Sequence, residues 1–193
     1  RRLAKQHKLI LIEDACHAMG SSYKGEKVGS CRFSDMTVFS FHAVKNMTTG
    51  EGGMVTTRDA IFHDHIHLLR SHGITRNSGH FGDKVLALDS ETESPNPWYY
   101  EQQALGFNYR ITDIQCALGL SQLTRLDAFV NSRRNRVAQY QRALAGFPLK
   151  RPVEKDYAYS AWHLYAVEID SFQSKKCRRE VFDALRDAHI SVN

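Results

Sequence analysis

Three short apolar runs near the start of the chain predict strands of a sheet. They cover residues 9–13, 36–40 and 53–57. Runs of this length are typical of strands, because a helix that buries one face needs a longer pattern with apolar residues three and four positions apart. The first run leads into Glu13 and Asp14 and is uninterrupted from Leu9 to Ile12. We therefore expect it to be a buried strand of a parallel sheet.

Helical spacing dominates the later part of the chain. A helix is predicted from residues 58–59 to about Ser71, where His72 and Gly73 end it. A longer pattern begins at Thr112, a residue suited to cap a helix, and continues to about Ala145, with a kink predicted at residues 125–127.

Three remaining segments have weaker patterns. Residues 74–104 show little periodicity and are predicted to be a long loop, which in a compact domain is usually functional or disordered. Residues 159–169 alternate and predict a strand. Residues 174–188 predict an amphipathic helix capped by Ser174.

The size, composition and net charge of the chain limit the kinds of protein and partner that it fits. The chain has 193 residues, 42% of them hydrophobic, which is enough for a sizeable core, and its net charge is 26 − 21 = +5. A mildly basic chain suits anionic substrates such as nucleotide diphosphates. The arginines at 133, 134 and 136 lie in the long helical pattern without a nucleic-acid motif, so we interpret them as a solvated face and expect no nucleic-acid partner.

The cysteines and the apolar runs indicate the cellular compartment in which the protein is expected to work. Four cysteines without CxxC pairing or a secretory context predict reduced thiols in a cytoplasmic protein. No apolar run is long enough to span a membrane. His63 and His67 have metal-ligand spacing on one helix face, but no further motif accompanies them, so we expect no metal.

A lysine follows the second predicted strand and precedes a cluster of glycines. Lys45 comes five residues after Ser40, and glycines occupy positions 50, 52 and 53. A lysine amine forms a Schiff base with an aldehyde, a serine hydroxyl can donate to a phosphate, and glycines let the backbone approach a flat ligand. The spacing alone also fits a surface lysine after a strand.

An acid ends the first predicted strand. Open α/β sheets bind ligands outside the carboxyl ends of their strands, where Asp14 lies. A carboxylate there can pair with the pyridinium nitrogen of pyridoxal phosphate, whose protonated ring is an electron sink. A strand-end acid that caps the next segment is the alternative, and Glu13 competes for the same role. Together, Asp14, Ser40 and Lys45 supply a ring partner, a phosphate donor and an imine amine.

Four stretches occur in a fixed order along the chain. They are IEDACHAMG at 12–20, SFHAVKN at 40–46, GEGG at 50–53 and LGFNYR at 105–110. In this order they resemble the cofactor-ring motif, the two parts of the Schiff-base motif and a third hallmark of the DegT/StrS-type nucleotide-sugar aminotransferases. The resemblance covers nearly the whole chain.

The resemblance implies a fold and a domain division. The fold would be α/β, of the fold type I (aspartate-aminotransferase-like) architecture of pyridoxal-phosphate enzymes, with a mainly parallel sheet. Residues 1–125 would be the later part of the large cofactor-binding domain, and residues 126–193 the linking helix and the start of the small domain. The chain would be truncated at both ends, without the loop that grips the cofactor phosphate, so alone it would be inactive and bind the cofactor poorly.

The resemblance also implies roles for individual residues. Lys45 would hold pyridoxal 5'-phosphate as a Schiff base and act as the catalytic base. Asp14 would pair with the ring nitrogen, His17 would lie near the ring, and Ser40 would donate to the phosphate. Asn108 would reach across a homodimer to the neighbouring cofactor, and Arg110 would contribute to substrate binding. A packed histidine, a hydroxyl bonded to its own strand end and an asparagine in a turn are the alternatives for His17, Ser40 and Asn108.

The expected reaction moves an amino group from an amino acid, with glutamate as the expected donor, to a UDP-linked 4-keto-6-deoxy-N-acetyl sugar in surface-glycan synthesis. Residues 97–102 and 160–165 resemble the branch that makes pseudaminic acid. Some relatives carry histidine in place of the lysine and perform dehydration, so Lys45 favours transamination. A sugar dehydratase and a non-catalytic scaffold or regulator of the same fold remain alternatives.

Overall fold

The computed structural model describes residues 1–192, and within that range it contains short strands joined by helices and long loops. The strands are β1 (Ile12–Asp14), β2 (Ser22–Tyr23), β3 (Glu26–Lys27), β4 (Met36–Ser40), β5 (Gly53–Thr57), β6 (Ile74–Thr75), β7 (Glu101–Gln102), β8 (Leu149–Lys150), β9 (Ala158–Tyr159) and β10 (Glu168–Ile169). The helices are α1 (Arg2–Gln6), α2 (Ala60–Leu69), α3 (Lys84–Ala87), α4 (Asp113–Leu123), α5 (Leu126–Ala143), α6 (Ser171–Ser174) and α7 (Arg178–Asp187), with a 3₁₀ turn at Ser78–His80.

The sheet that carries the site has the order β1-β4-β5. β1 runs parallel to β4, with Asp14 beside Val38, and β4 runs antiparallel to β5, with Ser40 beside Gly53. The predicted strands at 36–40 and 53–57 are confirmed residue for residue. The first strand lies later than predicted, at Ile12–Asp14.

The first strand is not buried, which corrects the sequence prediction. The side chain of Ile12 is 57% exposed, and those of Leu9 and Ile10 before it are exposed to a similar extent. In the part of the chain that the structure describes, β1 pairs with β4 alone and sits at the edge of the sheet. Its apolar side chains therefore have a neighbouring strand on one side only and remain exposed on the other.

The core lies beneath the turn that follows β4. A single cluster contains Ala15, Phe39, Phe41, Met47, Leu126, Val130 and Ala161. Its members come from the ends of β1 and β4, from the start of α5 and from the segment after β9. The core therefore ties residues on either side of Lys45 to parts of the chain far away in sequence.

The long helical pattern is confirmed and is divided in two. Thr112 caps α4 by a reciprocal capping box with Gln115, as Thr112 was expected to do. The predicted kink is a break at residues 124–125, after which α5 begins at Leu126. The break coincides with the predicted boundary between the large and small domains, which stays a prediction.

Two predictions for the last third are wrong. Residues 159–169 do not form one strand, because the structure has only β9 and β10 at the two ends of this stretch. Residues 174–188 do not form one helix either. The helix α7 begins after Cys177, whose backbone N–H donates to the Glu180 carboxylate at 2.7 Å, and the shorter α6 ends at Ser174.

The predicted long loop at 74–104 contains little regular structure. It holds β6, the 3₁₀ turn, α3 and β7, none longer than four residues. Among residues 1–192, no helix has the length and apolar composition needed to cross a bilayer.

Candidate active site

Asp14 and Ser40 lie at the same edge of the sheet. Each is the last residue of its strand, and these two strands are parallel neighbours in which Asp14 pairs with Val38, two residues before Ser40. The carboxyl ends of parallel strands are where open α/β sheets bind ligands. The edge therefore presents a carboxylate and a hydroxyl side by side.

Asp14 is held as a carboxylate by its surroundings. Its Oδ1 accepts a hydrogen bond from the backbone N–H of Cys16 at 3.0 Å. Hydrogen bonds from Cys16, from its side chain first and then its backbone, lower the pKa of Asp14, and the charges of His17 and Lys45 lower it further. Asp14 is therefore ionised at neutral pH, as a partner for a protonated ring nitrogen must be.

A tight turn after β4 places Lys45. The backbone N–H of Lys45 donates to the carbonyl of His42 at 3.0 Å, and that of Thr49 donates to the carbonyl of Phe41 at 2.9 Å. Lys45 is half-buried between the buried residues Phe41 and Asn46. The turn follows the carboxyl end of β4, which lies beside that of β1, and the charge of Lys45 contributes to the lowered pKa of Asp14.

Ser40 is half-buried at the end of β4, and its hydroxyl already has one local contact. Its Oγ accepts the backbone N–H of His42 at 3.4 Å, which is the local bond that the sequence left open as an alternative. Accepting this bond leaves the hydroxyl proton available for donation. Ser40 can therefore bond its own strand end and still donate to an anion.

His17 lies three residues after Asp14 and is exposed. Its ring packs against the ring of His163, with 4.5 Å between centroids and 52° between planes. Burial lowers the pKa of His163, and the positive charges of His17, Lys45 and Arg133 lower it further. His17, His163 and Lys45 thus form one electrostatic group beside Asp14.

The backbone after Lys45 is fastened to α4. Glu51 contributes its carbonyl oxygen, which accepts from Thr49 Oγ1 at 2.7 Å and from Gln115 Nε2 at 2.8 Å. Its carboxylate lies 3.7 Å from His42 Nε2, and both side chains are largely exposed. The contacts of Glu51 thus fit a residue that holds the loop rather than a general acid.

Asn108 and Arg110 lie on the segment between β7 and α4. The backbone around Asn108 is bonded to the end of α2, through Phe107 N–H to Leu69 at 2.7 Å and Tyr109 N–H to Arg70 at 2.9 Å. Both Asn108 and Arg110 are exposed. The structure therefore brings Asp14, His17, Ser40 and Lys45 to one edge of the sheet, and it holds Asn108 on an exposed segment against the end of α2.

Close backbone contact positions that segment. A Cβ at Gly73, whose φ is +68°, would lie 1.8 Å from the Ala104 carbonyl oxygen. A Cβ at Gly106 would lie 2.2 Å from the Gly73 nitrogen. Only glycine fits both places, so residues 104–108 lie directly on the end of α2.

The histidines of α2 do not build a metal site in the described part of the chain. The rings of His63 and His67 lie 6.1 Å apart, and His63 Nδ1 is 2.9 Å from the exposed carboxylate of Asp64. Residues 1–192 contain no group of three or more His, Cys, Asp or Glu side chains arranged to hold a metal ion.

Two residues of the site received no role from the sequence. Asn46 is 5% exposed and donates from Nδ2 to the carbonyl oxygens of Met19 at 3.0 Å and Ala161 at 3.4 Å. His163 reaches His17 from the segment after β9. Asn46 is the neighbour of Lys45 in its motif, which is a signal that sequence could have used, whereas His163 has no comparable local signal.

The whole sequence matches a known family profile, that of the DegT/DnrJ/EryC1/StrS aminotransferases, over residues 1–193. The chain belongs to this family. It is 38% identical over 97% of its length to the spore coat polysaccharide biosynthesis protein SpsC of Bacillus subtilis. It is also 38% identical over 98% of its length to the UDP-4-amino-4,6-dideoxy-N-acetyl-beta-L-altrosamine transaminase of Campylobacter jejuni. The chain spans 45% of the length of each of these relatives.

Solved structures confirm the α/β fold and its fold type I architecture. Helicobacter pylori PseC, an aminotransferase involved in the biosynthesis of pseudoaminic acid, superposes with a TM-score of 0.79 at 32% identity, over 97% of this chain and 45% of that one. The putative sugar aminotransferase Spr1654 of Streptococcus pneumoniae in its PLP form gives 0.78 at 28% identity, over 100% and 45%. Spr1654 is also known in a PMP form, and the family as a whole depends on pyridoxal phosphate.

Proposed function

We propose that the protein is a pyridoxal-phosphate-dependent aminotransferase that moves an amino group from an amino acid to a nucleotide-linked 4-keto-6-deoxy sugar. The observation that carries this proposal is the joint placement of Asp14 and Lys45. Asp14 is a carboxylate kept ionised by hydrogen bonds from Cys16, and the charge of Lys45 acts on it from the turn after β4.

The functional groups of the four site residues are of the kinds that pyridoxal phosphate needs. Asp14 would hold the proton on the ring nitrogen, and Lys45 would bind the cofactor covalently through Nζ. Ser40 would donate its hydroxyl proton to the phosphate, and His17 would lie beside the ring. When bound, pyridoxal phosphate supplies an aldehyde for an amine and a protonated ring that withdraws electrons from the carbon that loses a proton.

Lys45 has a second task in this proposal. Once it is released from the cofactor, its amine takes a proton from Cα of the amino donor and returns a proton at the sugar carbon in the reverse direction. A half-buried lysine on a tight turn suits this role, because the turn limits where Nζ can travel. Asp14, Ser40 and His17 would hold and orient the cofactor, whereas Lys45 would transfer the proton between the reacting carbon atoms.

We also propose that two copies of the protein complete each site. Asn108 is exposed on a segment that backbone bonds hold against the end of α2, and an exposed amide there would be free to reach a second chain. Two apolar residues near it in sequence are exposed, Leu105 to 91% and Ile114 to 84%. The stacked rings of Phe107 and Tyr109, 4.8 Å apart, are also exposed. An apolar surface of this kind is typical of a protein interface, and a second copy would cover it.

The proposed substrate is a UDP-linked 4-keto-6-deoxy-N-acetyl sugar, with glutamate as the donor. The support is the 38% identity to the Campylobacter jejuni transaminase and the structural likeness to PseC. Arg110 lies two residues before the cap of α4 and is exposed, where it could meet an anionic group of the substrate.

The test is the absorption spectrum of the full protein with pyridoxal phosphate, recorded before and after glutamate is added. The proposal expects a visible band that bleaches with glutamate and returns with the keto-sugar, together with an aminated sugar among the products. A band that ignores every amino donor, with a dehydrated sugar product, would instead identify a dehydratase. If no band appears although Lys45 is intact, the proposed enzymatic function would be rejected and a non-catalytic scaffold of the same fold would be favoured.

A further inference from the structure

His163 is a half-buried histidine that contacts the proposed cofactor site from a distant part of the chain. It is half-buried as a residue, and its Nδ1 is fully buried without a hydrogen-bond partner among residues 1–192. Its ring lies 4.5 Å from that of His17, within the range of packed aromatic rings. His163 therefore meets His17 by packing of two tilted rings, 52° apart, and no hydrogen bond joins them in the part of the chain that the structure describes.

The segment that carries His163 is firmly fixed. The backbone N–H of Ala161 donates to Ser21 Oγ at 2.9 Å, and its carbonyl accepts from Asn46 Nδ2 at 3.4 Å. The carbonyl of His163 accepts from Arg133 Nη1 at 3.3 Å. These bonds link the segment to the residue beside Lys45 and to α5, so the ring of His163 has little freedom to move.

The backbone between these anchors is strained. Trp162 has a φ of +50°, in the left-handed region that bulky residues rarely adopt. Strained residues persist where the surrounding structure fixes them, and they cluster at ligand sites. The left-handed residue Trp162 directly precedes His163, whose ring packs against His17.

The two rings cannot both be charged at this distance without repulsion. Burial, and then the positive charges of His17, Lys45 and Arg133, lower the pKa of His163, which favours the neutral form of its ring near pH 7. A neutral ring can pack behind His17 without adding charge next to Lys45.

We propose that His163 is a positioning residue, whose ring packs against the exposed ring of His17 and fixes its orientation towards the cofactor. This inference rests on the proposed function for the identity of the cofactor. It assigns His163 no contact with substrate. A flat ring at position 163 is required, and a hydrogen-bonding nitrogen is not.

The test compares His163→Ala, His163→Phe, His17→Ala and the double variant His17→Ala/His163→Ala in the full protein, with His65→Phe on the exposed face of α2 as control. The first measurement is the dissociation constant for pyridoxal phosphate, followed by absorption. His163→Ala should weaken binding about fivefold to tenfold, the size of coupling usual for residues in contact. His163→Phe should stay within about twofold of wild type, since its ring takes the same place. His163→Ala should add nothing in the His17→Ala background.

The second measurement needs no cofactor. Carbon-labelled histidine rings are observed by NMR in the cofactor-free protein, and the His17 signal is assigned by its loss in His17→Ala. The signal should move in His163→Ala and stay in place in His65→Phe. An unmoved signal, or an equal loss of affinity in both backgrounds, would overturn the positioning role.

The two measurements separate this inference from the proposed function. Wild-type protein that fails to bind pyridoxal phosphate would reject the proposed function, while the NMR signal would still decide whether His163 orients His17. Loss of fold in His163→Ala would be recognised by circular dichroism, and the comparison then rests on His163→Phe. Loss of affinity in that variant would overturn the inference, because it keeps the ring.

Discussion

The side-chain amide of Asn46 donates to the carbonyl of Ala161, 3.4 Å away and 115 positions further along the chain. The same nitrogen donates to the carbonyl of Met19 at 3.0 Å. Asn46 thus connects three parts of the chain directly beside Lys45. It makes the turn after β4 dependent on contacts that form only in the folded protein.

Asn46→Ala should lower the free energy of unfolding by about 1–3 kcal/mol, because it leaves two carbonyl groups without their donor in a site that is 5% exposed. Urea unfolding of the full protein measures the loss. The matched control is Asn135→Ala on the exposed surface of α5, which should leave stability equal or slightly higher, since alanine favours a helix. Equal stability of both variants would show that the Asn46 bonds contribute little.

The parts of the fold that sequence predicted are those fixed by neighbouring residues. Strand β4 and the cap at Thr112 depend on local side-chain pattern and on a reciprocal bond within one turn of helix. Asp14, Ser40 and Lys45 could be grouped in advance because two strand ends and a short turn bring them together.

The parts that sequence missed depend on distant contacts. Residues 159–169 alternate like a strand, yet the N–H of Ala161 bonds Ser21 Oγ and its carbonyl bonds Asn46. Side chains thus satisfy backbone groups that a neighbouring strand would otherwise take. The approach of His163 to His17 follows from this irregular path, and no local pattern predicts it.

Lys45→Ala should reduce amino transfer by about 10²- to 10⁴-fold or more, because it removes the amine that moves the proton. Its melting temperature should remain near that of wild type, since Lys45 makes its turn through backbone bonds that alanine preserves. Turnover and product are measured by chromatography of the sugar nucleotide. Lys155→Ala, on an exposed loop, should keep full activity, and near-normal turnover by Lys45→Ala would reject the proposed role.

A pH dependence is expected from the pair of Arg134 and Glu154. The guanidinium binds the carboxylate through two bonds of 2.7 and 2.9 Å, and both side chains are less than a third exposed. The hydrogen bond from Arg134, and then that from the Ser160 N–H, lower the pKa of Glu154 from its ordinary value of 4.5. The stabilisation is therefore complete above about pH 4.5 and is lost as the pH falls through the lower folded value.

Glu154→Gln should accordingly cost about 1–2 kcal/mol at pH 7, a figure that allows for partial solvent screening, and its difference from wild type should shrink as the pH falls below 4.5 and through the lowered pKa of Glu154. Urea unfolding at a series of pH values measures the stability cost at pH 7 and its change at low pH. Glu168→Gln is the matched control, because its partner Lys150 is also 2.7 Å away but both side chains are 70% exposed. It should change stability by less than about 0.5 kcal/mol. A constant difference for Glu154→Gln across this range would contradict the assignment.

Gly119 lies where α4 meets the loop after Lys45. It is buried, and a Cβ there would lie 2.9 Å from Thr49 Cγ2. Thr49 is itself 4% exposed and holds the carbonyl of Glu51, so it has little room to withdraw. Gly119→Val should therefore destabilise the protein by about 1–3 kcal/mol and weaken cofactor binding. Gly146→Val, where a Cβ would meet no atom within 4 Å, is the control and should bind the cofactor normally.

Complementation between two inactive variants tests whether Asn108 serves the neighbouring chain. In a dimer of Lys45→Ala with Asn108→Ala, one site carries both substitutions and the other carries neither. Random pairing makes half of the dimers mixed, and half of their sites are intact, so co-expressed variants should recover about one quarter of wild-type activity. Activity is measured on the purified mixture and on each variant alone. If Asn108 acted within its own chain, every site in the mixture would carry one substitution, and the mixture would be no more active than the average of the two variants.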